Sequence, residues 1–477
     1  MQQNAEGFLK MKASKGGLLK QIKAFRARFA QSGEAMLGEV ISRERLLEYV
    51  AAEVGKYRES KFNPLQTVLM FLEQVLSADH SCNDAVSRER NAQVVRGEKG
   101  WSANNGSYCA ARIRLPLGLL VRLGKEVGAQ LIEKQPLAWL WRGRPLKRVD
   151  GVVGSMPDTP ENQASYPQNR QQKAGLGFPV ARIVALVSLS CGAVLDWAIE
   201  ACEGKQTGET ALLWTLAKHL KRRDVLIADR CYSGYFMIAW LMQHGIDVVI
   251  RQHQRRHTDF RRGRRLGQQD HVVDWLRPQR PSWMTQDLYE TMPETLAMRE
   301  IRVADWTVVS RFINPREVSK AELHKLYQLR WHVELDIRSI KDLMQMDVLR
   351  CKSPEMVRKE IAAHFAAYNL VRAVMAQAAE RHSISPRGLS FSGALQELRA
   401  FGTALSACTP TIFLDRCTTL LAGIAQRKLP DRPGRVEPRA VKRRPKPQAL
   451  LTSPRNVMRK KLQRMRERYE EACHKCL

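Results

Sequence analysis

Four polar side chains recur at helical spacing in KLYQLRWHVELDIRSIKDLM: Tyr327, Arg330, Glu334 and Lys341 stand at i, i+3, i+7 and i+14. At about 100° per residue they share roughly a 60° arc of a helix, and Leu329, Val333, Ile340 and Met344 fall on the opposite, packing side. A carboxylate between an arginine and a lysine, with a tyrosine one turn earlier, suits binding a metal ion or gripping a phosphate. The same spacing also describes a solvated face stitched by i,i+4 pairs, and geometry alone favours that plainer reading.

Two aspartates supply the rest of a candidate site. Asp150 lies in the β-branched run KRVDGVVG (147–154), followed by Gly151, and Asp229 ends the apolar run DVLIAD (224–229), followed by Arg230. Singly, each reads as a turn residue at a strand end. On neighbouring strands they would lie within reach of one another and of a helix packed alongside. Two aspartates and a glutamate at one point cannot all be ionised without a cation. Hard oxygen donors with open positions suit Mg²⁺, which keeps waters and takes substrate phosphates as its remaining ligands. Two such ions about 3.5–4 Å apart activate a water or hydroxyl and stabilise the leaving oxygen in phosphodiester displacement. Asp158 is the rival first carboxylate, but it follows Gly154, Ser155 and Pro157 and so belongs to a loop; Asp150 has strand residues on both sides.

The sequence around these residues supplies elements able to hold them. KRVDGVVG reads as a strand, ARIVALVSL (181–189) and GAVLDWAIE (192–200) as a hairpin, and TALLWTLAKHL (210–220) as a helix. Strand DVLIAD, helix SGYFMIAWLMQHG (233–245) and strand IDVVIRQ (246–252) follow, which together describe a mixed sheet with helices packed on it. Residues 253–300 interrupt this with Arg-, Pro- and Trp-containing sequence; EIRVADWTVVSRFI (300–313) returns to strand. One long helix is expected from about 319 to 346 and a second over 355–382, after a Ser353-Pro354 break.

The first 140 residues read as helical. Leu18, Ile22, Phe25 and Phe29 form one apolar stripe, a helix capped by Ser42 follows, then LQTVLMFLEQVLSA (65–78), then two helices broken at Pro116. Beyond 427 the chain is rich in Pro and Arg and reads as a flexible basic tail, with residues 455–472 forming a short amphipathic helix.

Charge narrows the partner. The 477 residues hold 78 Lys+Arg against 48 Asp+Glu, a net of +30, and three blocks (10–28, 251–265 and 427–468) supply +26 of it. A balanced body with three basic blocks suits a protein that grips phosphates at several places, on nucleic acid or an acidic membrane surface. No run of about 18 apolar residues is present, which argues against a membrane span, and the N-terminus lacks a signal peptide's apolar core. Ten scattered cysteines suggest a reducing cytosol. Cys473 and Cys476 have metal-ligand spacing, but no second pair lies nearby to complete a zinc site. The class is a cytoplasmic, polyanion-binding protein.

At this point Tyr327-x2-Arg330-x3-Glu334-x6-Lys341 resembles the signature of the DDE transposases of bacterial insertion sequences, in the group numbered four. The resemblance takes in Asp150-Gly151 followed by MPDTPEN (156–162) and Asp229-Arg230; it spans about residues 140–385, and more loosely GSYCAARIRLPL in the helical N-terminal part. The chain departs from the common pattern at Val152, where Thr or Ser often follows Asp-Gly, and at Cys231, often Gly.

The resemblance implies an α/β fold: an RNase H-like mixed sheet with flanking helices and a β-rich insertion, plus an N-terminal helical domain and a basic C-terminal tail. The boundaries are 1–140 for the helical DNA-binding domain, 141–252 and 313–395 for the catalytic domain, 253–312 for the insertion and 396–477 for the helical and basic tail region. It makes Asp150, Asp229 and Glu334 the catalytic metal-binding set for two Mg²⁺ ions, with Mn²⁺ able to substitute. Tyr327, Arg330 and Lys341 would contact transposon-end DNA, and Arg261, Arg262, Arg264 and Arg265 would hold flanking DNA. Trp275 and Trp283 are candidates for stacking on a flipped base, and equally for plain packing.

The implied function is binding of terminal inverted repeats in double-stranded DNA, cleavage of the DNA 3′ ends and their transfer to target DNA. A homodimer in a synaptic complex is implied, nucleoid-associated when bound to DNA and with no membrane partner. The rivals are an RNase H-like nuclease or resolvase that does not join strands, and an inactive DNA-binding relative. The presence of all three carboxylates and the four-residue face argues against decay.

Overall fold

A computed structural model describes residues 43–57, 60–95, 97–405, 410–430 and 450–475. The first basic block, the Leu18–Phe29 stripe, Ser42 and residues 431–449 of the tail lie outside them.

Helices α1 (Arg43–Val54), α2 (Pro64–Leu76), α3 (Cys82–Val95), α4 (Gly106–Arg114) and α5 (Leu117–Glu133) precede the sheet. α2 starts where it does because the Asn63 side chain accepts from Gln66 N and Pro64, which has no N–H to lose, takes the first turn. The break between α4 and α5 falls at Pro116, as expected. α3 was not expected: CNDAVSRERNAQVV carries no clear apolar stripe and buries only Ala85, Val86, Glu89 and Gln93.

The strands are β1 (Leu146–Ser155), β2 (Val180–Ser188), β3 (Val194–Ala201), β4 (Val225–Ala228), β5 (Asp247–Arg251), β6 (Arg264–Gly267), β7 (Asp270–Leu276), β8 (Thr295–Val303) and β9 (Trp306–Ser310). They form one mixed sheet in the order β3-β2-β1-β4-β5-β9-β8-β7-β6. β1, β2 and β3 are an antiparallel meander, β4 and β5 run parallel to β1, and β9 joins antiparallel to β5. Segment 300–313, read from sequence as one strand, is instead the end of β8 and the whole of β9. Val303 pairs with Trp306 across a two-residue turn in which Ala304 takes φ +50°, the left-handed backbone that tight hairpins demand.

Alternation along β2 splits the core. Ala181, Ile183, Ala185 and Val187 pack on one side with α5 and the long helix α12 (Pro354–Arg381). Val184 and Leu186 pack on the other with α7 (Glu209–Leu216) and α8 (Tyr235–Gln243). Gly128 lets α5 come close: a Cβ there would strike the Val194 carbonyl. Asn369 on α12 fixes the same junction, accepting from Val194 N at 2.8 Å and donating to the carbonyls of Gly124 and Val194 at 2.8 and 2.7 Å.

The single helix expected over 319–346 is broken. α10 (Lys320–Gln328) opens on a capping box between Ser319 and Glu322, α11 (Arg330–Arg338) follows after Leu329, and Ser339–Leu343 form a π-helical turn. The hydroxyl of Ser339 donates back to the Leu335 carbonyl at 2.7 Å, a bond that bends a helix, and the wider turn sends Ile340 and Met344 fully into the core. The remaining helices are α6 (Pro160–Ser165), α9 (Gln286–Glu290), α13 (Phe391–Leu405), α14 (Pro410–Gln426) and α15 (Arg455–Lys475). None of the described helices is long and apolar enough to cross a membrane.

Candidate active site

β1 and β4 run parallel with Leu146, Lys147 and Arg148 opposite Val225, Leu226 and Ile227. Carried two residues further, that register runs toward Asp150 on β1 and Asp229, which lies just past the end of β4 and outside the paired residues. Asp229 opens a short 3-10 turn, Arg230–Tyr232, but its carboxylate is not spent on capping it. α11 packs against β1, and the buried Arg148 joins them: Nη2 donates to Asp150 Oδ2 at 2.6 Å and Nη1 to the backbone carbonyl of Arg330. Asp150, Glu334 and Asp229 all lie within electrostatic reach of this guanidinium.

Glu334, half-buried on α11, receives Arg330 Nη1 at 2.7 Å. The back of α11 is anchored by Asp336, which holds Arg372 and accepts both terminal nitrogens of Arg387 at 2.9 Å. Tyr327 is buried at the end of α10, where burial pushes its hydroxyl above the usual range. Lys341 lies exposed within the π turn, so the uniform 100° step that put it on the Tyr327–Glu334 arc does not reach it. Leu329, Ile340 and Met344 pack on the core as expected; the Val333 side chain lies outside the described residues.

Burial raises the Asp150 carboxyl above its ordinary value. Arg148 and the Gly151 N–H, which donates to Oδ1 at 3.0 Å, oppose that shift, and the carboxylates of Glu209 and Glu334 add to it. Glu209 is a residue that sequence reading missed. It starts α7, accepts from the Tyr232 hydroxyl at 3.1 Å and lies 3.5 Å from Cys231 Sγ. A Cβ on Gly151 would stand 2.6 Å from Glu209 Oε1, so the glycine after Asp150 is what lets this fourth carboxylate approach. Burial and Glu209 together push the Cys231 thiol well up. Arg148 was also missed, although its place two residues before Asp150 on a strand was a legible signal, since i and i+2 share a face.

The donor set fits a divalent ion in kind: three carboxylates of hard oxygen, one of them destabilised as an anion by burial and like charge. Among the described residues no three ligating side chains are gathered into a ready cluster. Two of the carboxylates instead hold arginines.

Other candidates lie elsewhere. Asp158 sits in the loop after β1 and accepts from Gln163 Nε2 at 2.7 Å. Arg261 and Arg262 are exposed beside Asp259, and Arg264 and Arg265 are exposed on β6. β6 is the far edge of the sheet, five strand steps from β4 or about 24 Å along it at about 4.8 Å per step, so these arginines are not brought to the carboxylates. Trp275 is corrected as a stacking candidate: it is buried, donates Nε1 to Glu300 at 2.8 Å and carries the Arg256 guanidinium 3.8 Å from its ring centre. Trp283 is half exposed against Trp214 and Phe236. The side chains of Cys473 and Cys476 lie outside the described residues.

Residues 144–370, which contain all three carboxylates, match the family described as the transposase DDE domain. The chain is 28% identical over 343 residues, 68% of its length, to the transposase InsG for insertion sequence element IS4 of Escherichia coli strain K12, and covers 75% of that protein. A solved structure, the piggyBac transposase synaptic complex with hairpin DNA, overlays with a TM-score of 0.42 and 9% identity over 84% of this chain and 86% of that one. Residues 144–370 are thus similar to the transposase DDE domain, and the chain is similar to an IS4 insertion-sequence transposase.

Proposed function

We propose that this transposase cleaves the 3′ ends of its element and joins them to target DNA at a centre built from Asp150, Asp229 and Glu334. What supports the reading is the register of β1 on β4, which runs toward Asp150 and Asp229, together with the Arg148 bridge that ties the glutamate helix to the same strand. The antiparallel β1–β3 meander with β4 and β5 parallel beside it supports an RNase H-like core. Asp150, Asp229 and Glu334 would hold two Mg²⁺ or Mn²⁺ ions, which when bound supply an activated water or 3′ hydroxyl and a stabilised leaving oxygen.

The chain's own groups do the rest. Tyr327 and Arg330 lie on the turns before Glu334 and bear on the end DNA near the scissile phosphate, and Lys341 reaches the backbone from the solvent side. The helices before the sheet read the terminal inverted repeats. Arg261, Arg262, Arg264 and Arg265 meet flanking duplex away from the carboxylates, which suits a DNA path across the sheet edge. Two ends must be held together, so a homodimer is the working assembly, in the cytoplasm and on the nucleoid.

The test is a duplex ending in the inverted repeat that flanks the reading frame, labelled at its 3′ strand and incubated with Mg²⁺ and a second DNA. Cleavage and a joined product are expected from the wild type, and neither from Glu334→Gln. Cleavage with no joined product would instead point to a purely hydrolytic nuclease.

A further inference from the structure

Arg148 stands two residues before Asp150 on β1, so the two side chains leave the same face of the strand. It is 1% exposed, among the largest fully buried side chains of the described residues. Nη2 donates to Asp150 Oδ2 at 2.6 Å, Nη1 donates to the carbonyl of Arg330, the first residue of α11, and Nε is buried with no partner. The Arg330 side chain meets Glu334 Oε1 at 2.7 Å. A chain of contacts thus runs from the first carboxylate to the third through two arginines.

Its paired donors are divided between a carboxylate that is 24% exposed and the start of the glutamate helix. The other Asp150 oxygen already accepts the Gly151 N–H. A cation arriving at Asp150 therefore meets one that is in place.

We propose that Arg148 is the resident counter-ion of the metal-free centre and a positioning residue for α11, holding Asp150 and the Arg330 carbonyl together until a divalent ion takes over Asp150. This rests on the assignment of Asp150, Asp229 and Glu334 as the metal ligands. Two consequences pull in opposite directions. Without the guanidinium, a divalent ion binds more tightly, because a competitor is gone. The loaded centre then works less well, because the first turn of α11 has lost its brace.

Electron paramagnetic resonance of free Mn²⁺, titrated with the full chain, reads the first consequence, and end cleavage at saturating Mn²⁺ reads the second. Arg148→Gln is expected to bind Mn²⁺ about threefold to tenfold more tightly, a change within the range of coupling between contacting residues, and to cleave more slowly once saturated. Arg148→Lys keeps the charge without the fork, so its affinity stays within about twofold of wild type while its cleavage slows as well. Unchanged Mn²⁺ affinity in an Arg148→Gln protein that melts like wild type overturns the proposal. If Asp229→Asn leaves Mn²⁺ binding intact, the fault lies in the ligand assignment and not in Arg148.

Should Arg148→Gln fail to fold, a wild-type crystal structure grown with Mn²⁺ decides. Arg148 Nη2 beyond about 3.5 Å from Asp150 Oδ2 supports displacement. The 2.6 Å contact retained with Mn²⁺ on Asp150 overturns it.

Discussion

On β7 and β8, Arg299 meets Asp270 through Nε and Nη2 at 2.8 and 2.6 Å and gives Nη1 to the carbonyls of Val318 and Phe312 at 2.6 and 3.1 Å. Both side chains are nearly sealed, at 0% and 6% exposure. On β1 of the same sheet, Arg148 meets Asp150 through one nitrogen, keeps Nε unsatisfied and leaves the carboxylate partly open. The closed pair has no capacity left for a ligand and can only hold structure. The open pair keeps an acceptor edge on Asp150 that water or a cation can reach. What separates the two pairs is how open the carboxylate is, at 24% against 6% exposure, since the two arginines are about equally buried.

The sharpest way to break that contrast is to remove one carboxylate from each side. Glu334→Gln is expected to cut DNA cleavage by about a thousandfold or more, equivalent to several kcal/mol of transition-state stabilisation, with little change in melting. Asp270→Ala is expected to do the reverse. It leaves Arg299 buried and without its carboxylate, at a cost of about 3–5 kcal/mol in a urea titration, while cleavage per folded molecule is kept. An Asp270→Ala protein of wild-type stability that had lost cleavage would abolish the distinction.

Two tryptophans of this half of the sheet, Trp275 and Trp283, sharpen it one level down. Trp275 Nε1 and Gln252 both donate to Glu300 Oε1, and His271 meets Oε2 at 3.1 Å, a closed network like the Arg299 pair. Trp275→Phe removes one donor from a buried carboxylate and is expected to cost about 1–3 kcal/mol. Trp283, 48% exposed, makes ring contacts with Trp214 and Phe236. Trp283→Ala should cost less in a denaturant titration than Trp275→Phe; the opposite order would show that exposure is a poor guide to role in this half of the sheet.

Much of this could be read from residue order. The strands around Asp150 and Asp229 are apolar runs bounded by charge and glycine, so both aspartates fell at strand positions without any knowledge of pairing. Arg330 and Glu334 keep a common face because both lie on α11 before the π turn; Tyr327 lies on α10, across the break at Leu329, and Lys341 lies inside a π turn that nothing in a 100° periodicity announces. The turn inside 300–313 was hidden because Ala304 has no turn chemistry and adopts its positive φ under the constraint of the β8–β9 pairing. Glu209 was illegible for a different reason: it reaches the site from the start of a helix far along the chain, and only the space above Gly151 reveals it.

That space gives the next test. Gly151→Ala puts a methyl group 2.6 Å from Glu209 Oε1, and since the neighbour is the end of a flexible side chain, Glu209 should swing away at little cost in stability. If Glu209 belongs to the open half, cleavage falls by about tenfold, or about 1.4 kcal/mol. Glu209→Gln should give a similar loss, and the double variant should be no worse than the more impaired single one, because both act on one contact. Additive losses would assign the two residues to independent roles.

The smallest effect concerns a third way of burying a titratable group, which is to keep it uncharged. His80 lies 6.5 Å from the His364 ring, and its Nε2 is buried without a partner. Burial pulls its pKa from 6.5 to about 4; His364, Arg350 and Arg399 reinforce the shift and Asp79 opposes it. Because the folded value lies below the unfolded one, the neutral form is the one the fold prefers. The stability this contributes is complete above pH 6.5 and is lost as the pH falls toward and through about 4. The urea midpoint of the wild type should therefore drop more steeply than that of His80→Gln between these two values, while the two curves run parallel above pH 6.5. Parallel curves throughout would mean that His80 gains its proton in the folded state as readily as in the unfolded one, and that packing against His364 does not exclude charge.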